Sequence, residues 1–244
     1  MATQTVLTKR RVPDYSDIEP LPDPPRQPDM MKQYPGINAF TSALGLWFKD
    51  RDDVFVGALG YLWADTDDRS GPYPDGVFAE GLDGAERIFH RNGYVISEVG
   101  KPPDLEVGSE STGRLDYTVK RETYAEYRVR EYWRFDPGGA EYHDAPLAGD
   151  RLVDGEYEPI EIVSESDGRH WEYSEALGLE FWWDDSELRF RDPVSGEFLR
   201  TLEESEDAVE AAEDLAASER AMREEAEARV AELEAEARRL RGEE

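Results

Sequence analysis

Hydrophobic and polar positions divide the chain into an early helical segment, a series of short strands and a second helix between them. Within residues 37–48, Phe40, Leu44 and Trp47 recur at helical spacing, which predicts an amphipathic helix. A second helix is predicted over residues 115–127, where Leu115 and Val119 lie on one face. Runs rich in β-branched and aromatic residues predict short strands. These runs cover residues 54–56, 60–63, 76–79, 105–107, 131–136, 141–143, 158–163, 179–183 and 188–190.

The two ends of the chain differ in composition from the middle. Residues 1–35 are rich in proline and predict an extended arm. Residues 202–244 consist mostly of Glu, Ala and Arg and predict a helix, leaving residues 36–201 as the folded domain. Apolar residues of this helix occupy two heptad positions and form a seam of about two heptads. The seam consists of Ala226, Val230, Leu233, Ala237 and Leu240. A charged single helix and a self-associating coiled coil both fit this pattern.

Composition narrows the classes of protein to be considered. With 244 residues and 39% hydrophobic residues, the chain is able to bury a sizeable core. The absence of cysteine excludes disulfides, thiolate metal sites and cysteine nucleophiles. No apolar run reaches the roughly 18 residues of a membrane span, and the first residues lack the apolar region of a signal peptide. We therefore expect a cytoplasmic protein that does not enter a membrane.

The net charge of −29 works against nucleic-acid binding, which relies on Lys and Arg contacts to phosphates. Residues 202–244 hold 16 acidic and 6 basic side chains, so most of the excess lies in the rest of the chain. Lysine is scarce, with 5 Lys against 23 Arg. An acidic, lysine-poor surface suggests adaptation to high salt, where the screening length falls to about 3 Å. A folding transition that does not depend on KCl concentration would overturn this hypothesis.

Residue types suited to phosphodiester hydrolysis occur in one part of the chain. Asp75 opens a predicted strand, Glu106 lies within another, and Lys120 lies on the helix that follows. Carboxylates on adjacent strands can converge on one Mg²⁺ or Mn²⁺ ion, which makes water nucleophilic and stabilises charge on phosphoryl oxygens. The pattern therefore indicates a site in which Asp75 and Glu106 bind the metal. Lys120 would position water or stabilise charge, and Asp116 would orient Lys120.

Each of these side chains also has a structural interpretation. Asp75 follows a proline at a strand start, where an Asx turn is common. Glu106 would need no partner on an exposed edge strand. Asp116 and Lys120 have the i, i+4 spacing of ordinary helical ion pairs, which contribute about 0.3–0.5 kcal/mol. The sequence alone leaves these alternatives open.

Several short motifs follow one another across the middle of the chain. They are residues 53–57, 74–75 and 106–112, then Asp116, Lys120 and Tyr124, and finally residues 131–133 and 136–137. Over residues 37–200 their order resembles that of the Uma-two restriction endonuclease family of the PD-(D/E)XK nuclease superfamily. The resemblance implies an α/β (α+β) fold, a restriction-endonuclease-like mixed β-sheet flanked by helices. It also implies that Asp75 and Glu106 hold the Mg²⁺ or Mn²⁺ ion and that DNA is the partner.

The chain departs from the family pattern at two positions. The Glu-x-Lys element of the superfamily would place lysine at position 108, where this chain has Gly108, and the resemblance implies that Lys120 replaces it. Asp104 and Glu106 are separated by one residue where the family usually has three. Losing two residues preserves the alternation of a strand but shortens it by about 7 Å.

Two functional hypotheses follow. The first is a divalent-metal-dependent endonuclease that hydrolyses DNA phosphodiester bonds. The alternative is a catalytically impaired member that acts as a binding or assembly module, as the shortened strand and the acidic surface would suggest. Mimicry of DNA charge is disfavoured, because the acidic residues show no regular spacing. A homo-oligomer formed through residues 202–244 is compatible with either hypothesis.

Overall fold

The computed structural model describes residues 15–22, 30–58, 60–67, 70–108, 116–141 and 143–241, with the backbone alone for residues 30–34 and 116–117. It divides the chain into two compact units, Met1–Leu199 and Arg200–Glu244.

The first unit mixes short strands with short helices. In chain order, the described elements are α1 (Met30–Trp47), β1 (Phe55–Gly57), β2 (Tyr61–Trp63), β3 (Gly76–Ala79), α2 (Glu86–Arg91), β4 (Gly93–Val95), α3 (Ile96–Val99), β5 (Leu105–Gly108), a π-helical turn (Asp116–Lys120), α4 (Arg121–Glu126), β6 (Glu131–Phe135), β7 (Leu147–Val153), β8 (Glu156–Pro159), β9 (Val163–Ser164), β10 (His170–Ser174), β11 (Leu179–Asp184) and β12 (Glu187–Arg191).

Six strands form the main sheet in the order β1-β3-β5-β6-β7-β8. Neighbouring strands run antiparallel, except that β5 and β6 are parallel. A parallel pair needs a connection that crosses a face of the sheet, usually with a helix. The segment between β5 and β6 contains the π-helical turn and α4, so this connection brings Lys120 over the sheet. The fold class is a mixed sheet with flanking helices, as predicted.

The three central strands of the main sheet, β3, β5 and β6, are buried along their whole length because apolar side chains cover both faces of the sheet there. One face carries Phe78, Leu105 and Trp133, which pack in one cluster with Leu44 of α1 and Phe181 of β11. The indole of Trp133 stacks on Phe181 with ring centroids 4.5 Å apart. The opposite face carries a second cluster that includes Val77, Tyr132, Tyr124, Tyr94 and Tyr157. Tyr124 and Trp133 are therefore core residues.

Two smaller sheets complete the first unit. Strands β9 to β12 form an antiparallel sheet in sequence order, and β2 pairs in parallel with β4. The predicted strands at 179–183 and 188–190 correspond to β11 and β12. The predicted strand at 141–143 is wrong, because residues 141 and 143 form bends and the strand of this region is β7, further along the chain.

The predicted helices are present with different ends, whereas α2 and α3 were not predicted. Helix α1 begins at Met30, within the segment predicted to be an extended arm. Of that arm, residues 1–14 and 23–29 lie outside the described residues. The predicted helix over 115–127 begins, in its described part, with the π-helical turn before α4. Among the described residues, no helix is both long and apolar enough to span a membrane.

The second unit contains α5 (Leu202–Arg241), a helix of 40 residues. Thr201 begins it with a capping box, since its hydroxyl accepts a hydrogen bond from the Glu204 amide and its own amide donates to the Glu204 carboxylate. None of the side chains described in this helix is buried. The predicted C-terminal helix is thus present, and Val230, Leu233 and Leu240 of its apolar seam are exposed.

Candidate metal centre on the main sheet

Asp75 and Glu106 project from the same face of the main sheet. Glu106 on β5 pairs directly with Val77 on β3, and Asp75 precedes Val77 by two residues. The Asp75 amide donates to the Val107 carbonyl at 3.2 Å, so the strand pairing extends to Asp75. Side chains two residues apart share a face, and diagonal neighbours in an antiparallel pair stand about 7–8 Å apart. The fold thus makes neighbours of two carboxylates that are 31 positions apart in the sequence.

Glu106 is fully buried and lacks a hydrogen-bond partner. Its exposed fraction is 0%, and neither carboxylate oxygen has a partner within the part of the chain that the structure describes. Burial raises the pKa of Glu106 well above its ordinary value; the charge of Lys120 opposes this shift, and the charge of Asp75 adds to it. A buried, unpaired carboxylate is costly to keep ionised. The site therefore favours a cation beside Glu106 or a proton on it.

Lys120 lies close enough to Glu106 for its charge to act on this carboxyl group. It ends the π-helical turn and is half-buried. One turn further on, Tyr124 packs against Tyr132 with ring centroids 4.9 Å apart. Tyr132 pairs with Glu106 across β5 and β6. The contact between the two tyrosines holds this part of the connection on the face that carries the carboxylates, and π-helical turns are often found at functional sites.

One predicted site residue and one sequence motif are not fully described. The side chain of Asp116 lies outside the described residues, although its backbone opens the π-helical turn. The Ser/Thr-rich segment 109–112 also lies outside them. Asp75, Glu106 and Lys120 are the predicted site residues that the described structure brings together.

The structure adds a second charged group that the sequence analysis missed. Asp150 on β7 pairs with Tyr132, so it continues the row of side chains that contains Glu106. Its buried carboxylate accepts hydrogen bonds from Arg134 at 2.6 Å and from Arg121 at 3.1 Å. Lys120 and Arg121 are adjacent in sequence but serve different carboxylates of this face: the charge of Lys120 acts on Glu106, and Arg121 binds Asp150. The adjacent Lys-Arg pair was the available sequence signal, but β7 was not predicted.

Gly108 has no room for a side chain. A Cβ atom at this position would lie 2.9 Å from the Tyr132 hydroxyl oxygen, which is closer than real Cβ contacts allow. The guanidinium carbon of Arg134, whose residue pairs with Gly108, lies 5.1 Å from the centroid of the Tyr132 ring. Tyr132 therefore occupies the space that a lysine at position 108 would enter.

Two other acidic residues of this region are structural. Asp104 accepts hydrogen bonds from the Lys101 ammonium at 2.5 Å and from the Glu80 amide at 2.9 Å. Glu131 binds Arg151 and the Ser174 hydroxyl, and so joins β6 to β7 and to the end of β10. These contacts account for the burial of Asp104 and Glu131 without any ligand.

The residues on this face fit a divalent cation of the magnesium type. Mg²⁺ is commonly bound through one or two carboxylates and keeps several water molecules. Asp75 and Glu106 supply two such groups, and the described structure gives the oxygens of Glu106 no other partner. Within the described residues, no cluster of three or more His, Asp or Glu side chains could hold a metal ion. A cavity of about 550 Å³ lies elsewhere, between residues 17–19 and residues 82–99, and includes none of these residues.

Comparison with known proteins identifies the family. Residues 37–188 match the family model Uma2, described as "Putative restriction endonuclease". The chain belongs to this family. A solved structure from Anabaena variabilis ATCC 29413, described as a "putative nuclease belonging to DUF820", aligns with 15% identity over 60% of this chain and 77% of that one, with a TM-score of 0.38. No curated protein matches the chain. The matched segment contains Asp75, Glu106 and Lys120.

Proposed function

We propose that this chain is a divalent-metal-dependent endonuclease that hydrolyses DNA phosphodiester bonds, with its reaction centre at Asp75, Glu106 and Lys120. The observation that carries the proposal is the buried carboxylate of Glu106, which has no hydrogen-bond partner in the described structure and lies diagonally opposite Asp75. Membership of a restriction endonuclease family supports the choice of reaction and of DNA as substrate.

Asp75 and Glu106 would hold one Mg²⁺ or Mn²⁺ ion. When bound, such an ion lowers the pKa of water and stabilises charge on phosphoryl oxygens. Glu106 must be ionised to act as a ligand, and Lys120 favours that state because its positive charge lowers the pKa of this carboxyl group. Lys120 would also attract the scissile phosphate, or orient the attacking water, from the same face of the sheet. Asp116 remains our candidate for the group that orients Lys120.

The surrounding residues would fix the positions of these groups. The pairing of β3 with β5 sets the spacing of the two carboxylates, and the packing of Tyr124 on Tyr132 holds the segment that carries Lys120. Because Asp150 binds both Arg121 and Arg134, it would keep these guanidinium groups away from Glu106. Glu106 would then stay available to the metal, because neither Arg121 nor Arg134 would form an ion pair with it.

Cleavage of plasmid DNA with Mg²⁺ or Mn²⁺ tests the proposal. Asp75→Asn, Glu106→Gln and Lys120→Met should each lower the cleavage rate at least 100-fold, as expected when a metal ligand or a group that stabilises the transition state is lost. The matched controls Asp83→Asn, Glu122→Gln and Lys49→Met change exposed residues by the same chemistry and should retain activity. Activity that survives both Asp75→Asn and Glu106→Gln would refute the assignment.

A non-catalytic binding or assembly module is the second candidate. It is favoured by the shortened spacing of Asp104 and Glu106 and by a net charge of −29, which repels DNA at long range. Calorimetry with Mn²⁺ separates the two candidates. If the wild-type protein gives no heat of Mn²⁺ binding, the module is favoured and the nuclease proposal fails, whereas tight Mn²⁺ binding that Glu106→Ala abolishes would rule out the module.

A further inference from the structure

We infer that α5 joins two copies of this chain through a parallel, two-stranded coiled coil. The inference concerns the second unit alone and does not depend on the proposed nuclease activity. It rests on three properties of the helix: an exposed apolar seam, the types of residue in that seam, and the charges on either side of it.

A single heptad frame runs through the whole of α5. When Leu202 is placed at position a, the same position recurs every seven residues up to Ala237 near the end of the helix. Position d falls three residues later in each heptad. The a positions are Leu202, Val209, Ala216, Arg223, Val230 and Ala237, and the d positions are Ser205, Ala212, Glu219, Ala226, Leu233 and Leu240. The frame includes the seam of the last heptads and extends it toward the start of the helix.

The valine and leucine side chains of this seam are exposed in the described helix. Val230 and Leu233 are 54% and 48% exposed, and Leu240 is 83% exposed. A helix that keeps apolar residues on one face normally buries that face against a partner. A second copy supplies an identical seam of the same length, and a 40-residue helix provides about 60 Å of contact.

The residue types at a and d in the heptad that begins at Val230 favour two parallel strands. Valine at position a combined with leucine at position d is the pattern of parallel dimers, whereas other combinations shift the preference to larger assemblies. Val230 is followed by Leu233, and Leu240 occupies the next d position. Glu219 and Arg223 interrupt the seam with opposite charges. Polar residues at such positions fix the register of a coiled coil at some cost in stability.

The charged residues at positions e and g, on either side of the seam, pair with opposite signs when two copies of the helix lie parallel and in register. In a parallel dimer, position g of one helix faces position e of the next heptad in its partner. The final pairs are Arg229 with Glu234 and Glu236 with Arg241, and both join opposite charges. Earlier g positions in the helix hold Ala, Leu or Met, so no pair joins like charges. Within a single chain, Arg229 hydrogen-bonds Glu232 of its own helix, and this contact is exposed.

The mass of the full chain in solution provides the first test. Sedimentation equilibrium at micromolar concentration should give twice the 27.8 kDa of one chain. Leu233→Asp places a charge in the centre of the seam and should return the mass to that of one chain, whereas Ala235→Asp, at the outward position f, should leave the dimer intact. All six tryptophans precede residue 200, so their fluorescence checks that the first unit stays folded in each variant. A wild-type mass of one chain, or of three or more, would overturn the inference.

The orientation is tested by single cysteines, since the chain has none of its own. Ala226→Cys and Leu240→Cys lie at d positions on either side of Leu233. In a parallel dimer, mild oxidation joins the two identical chains of each variant by a disulfide. Ala228→Cys, at an outward position, forms no such bond. If neither Ala226→Cys nor Leu240→Cys cross-links with an identical chain while the wild-type protein is a dimer, the helices are not parallel and in register, which would contradict the inference.

The charge pairs are tested by reversal. Glu234→Arg creates two repulsive contacts with Arg229 of the opposite copy and should weaken dimerisation at least tenfold. Adding Arg229→Glu to this variant restores opposite charges and should recover most of the loss. Glu225→Arg makes the same change at outward position c and serves as the control. If Glu234→Arg dimerises as tightly as Glu225→Arg, the parallel register is wrong.

Discussion

Asp75 and Glu106 face each other diagonally across the antiparallel pairing of β3 and β5, on a face of the sheet that also carries the second apolar cluster and the ion pairs of Asp150. Their separation is set by strand register, which is rigid because a shift of one residue would turn Glu106 to the opposite face. Two acidic groups held this close repel each other when both are ionised. Lys120 offsets part of that repulsion, and a divalent cation would offset the rest.

Glu106 should make the metal-free protein less stable as the pH rises. Its folded pKa lies above the ordinary value of 4.5, so between these two values the folded state keeps a proton that the unfolded state has lost. The contribution of Glu106 to stability is therefore greatest below the unfolded pKa and falls by about 1.4 kcal/mol per pH unit up to the folded pKa. Glu106→Gln should lack this slope and be the more stable protein at high pH, in urea denaturation with EDTA present.

The control for this prediction is Glu122→Gln, which changes an exposed glutamate of α4. Its stability should follow the pH dependence of the wild-type protein. Added Mg²⁺ should reduce the decline in the wild-type protein and leave Glu106→Gln unchanged. If wild type and Glu106→Gln have the same slope from about pH 4 to about pH 9, the carboxyl group is not buried as described.

Gly108 and Tyr132 should be energetically coupled. Gly108→Ala places a Cβ atom 2.9 Å from the Tyr132 hydroxyl oxygen and should cost about 1–3 kcal/mol of stability through overpacking. Tyr132→Phe removes that oxygen and leaves ring carbons at 3.4–3.5 Å, an ordinary contact distance. The double variant should therefore recover most of the loss in a double-mutant cycle measured by urea denaturation.

A matched substitution in α1 separates this clash from a general effect of alanine. A Cβ atom added at Gly45 would meet no heavy atom within 4 Å, and the residue lies in a helix, so Gly45→Ala should be neutral or stabilising. Additive effects of Gly108→Ala and Tyr132→Phe would show that the hydroxyl group does not fill this space.

Glu131 should matter for stability and not for chemistry. Its buried carboxylate binds Arg151, the Trp133 indole and the Ser174 hydroxyl, so Glu131→Ala leaves several buried donors without an acceptor. We expect a loss of about 3 kcal/mol in urea denaturation, with cleavage per folded molecule unchanged. Glu175→Gln changes the exposed partner of Arg151 and should cost less than about 0.5 kcal/mol. A Glu131→Ala variant of wild-type stability would contradict this role.

Local patterns in the sequence predicted much of the sheet that carries the candidate site. The alternation of side chains around Glu106 and the short apolar strand after Asp75 are signals of period two, and β3 and β5 lie where they were expected. Strand β7 was missed because Gly149 interrupts its apolar run. The strand of this region was predicted instead at residues 141–143, which precede β7 and form bends. Helix α2, at six residues, is too short to show helical periodicity.

The contacts around the site could not be read from the sequence because they are non-local. Nothing near Asp150 in the sequence indicates that Arg121 and Arg134 bind it, since these residues are brought together by the pairing of β6 with β7 and by the connection over the sheet. Helical spacing also did not indicate the π-helical turn, which has a wider period than an α-helix. The placement of Lys120 beside Glu106 depends on that turn.

The most direct measurement is the position of Mn²⁺ in a crystal of the full chain, found from its anomalous scattering. We predict one peak within about 2.0–2.6 Å of a carboxylate oxygen of both Asp75 and Glu106. The peak should be absent from crystals of Glu106→Gln grown under the same conditions. A manganese site elsewhere, with Glu106 still buried and without a ligand, would contradict the account.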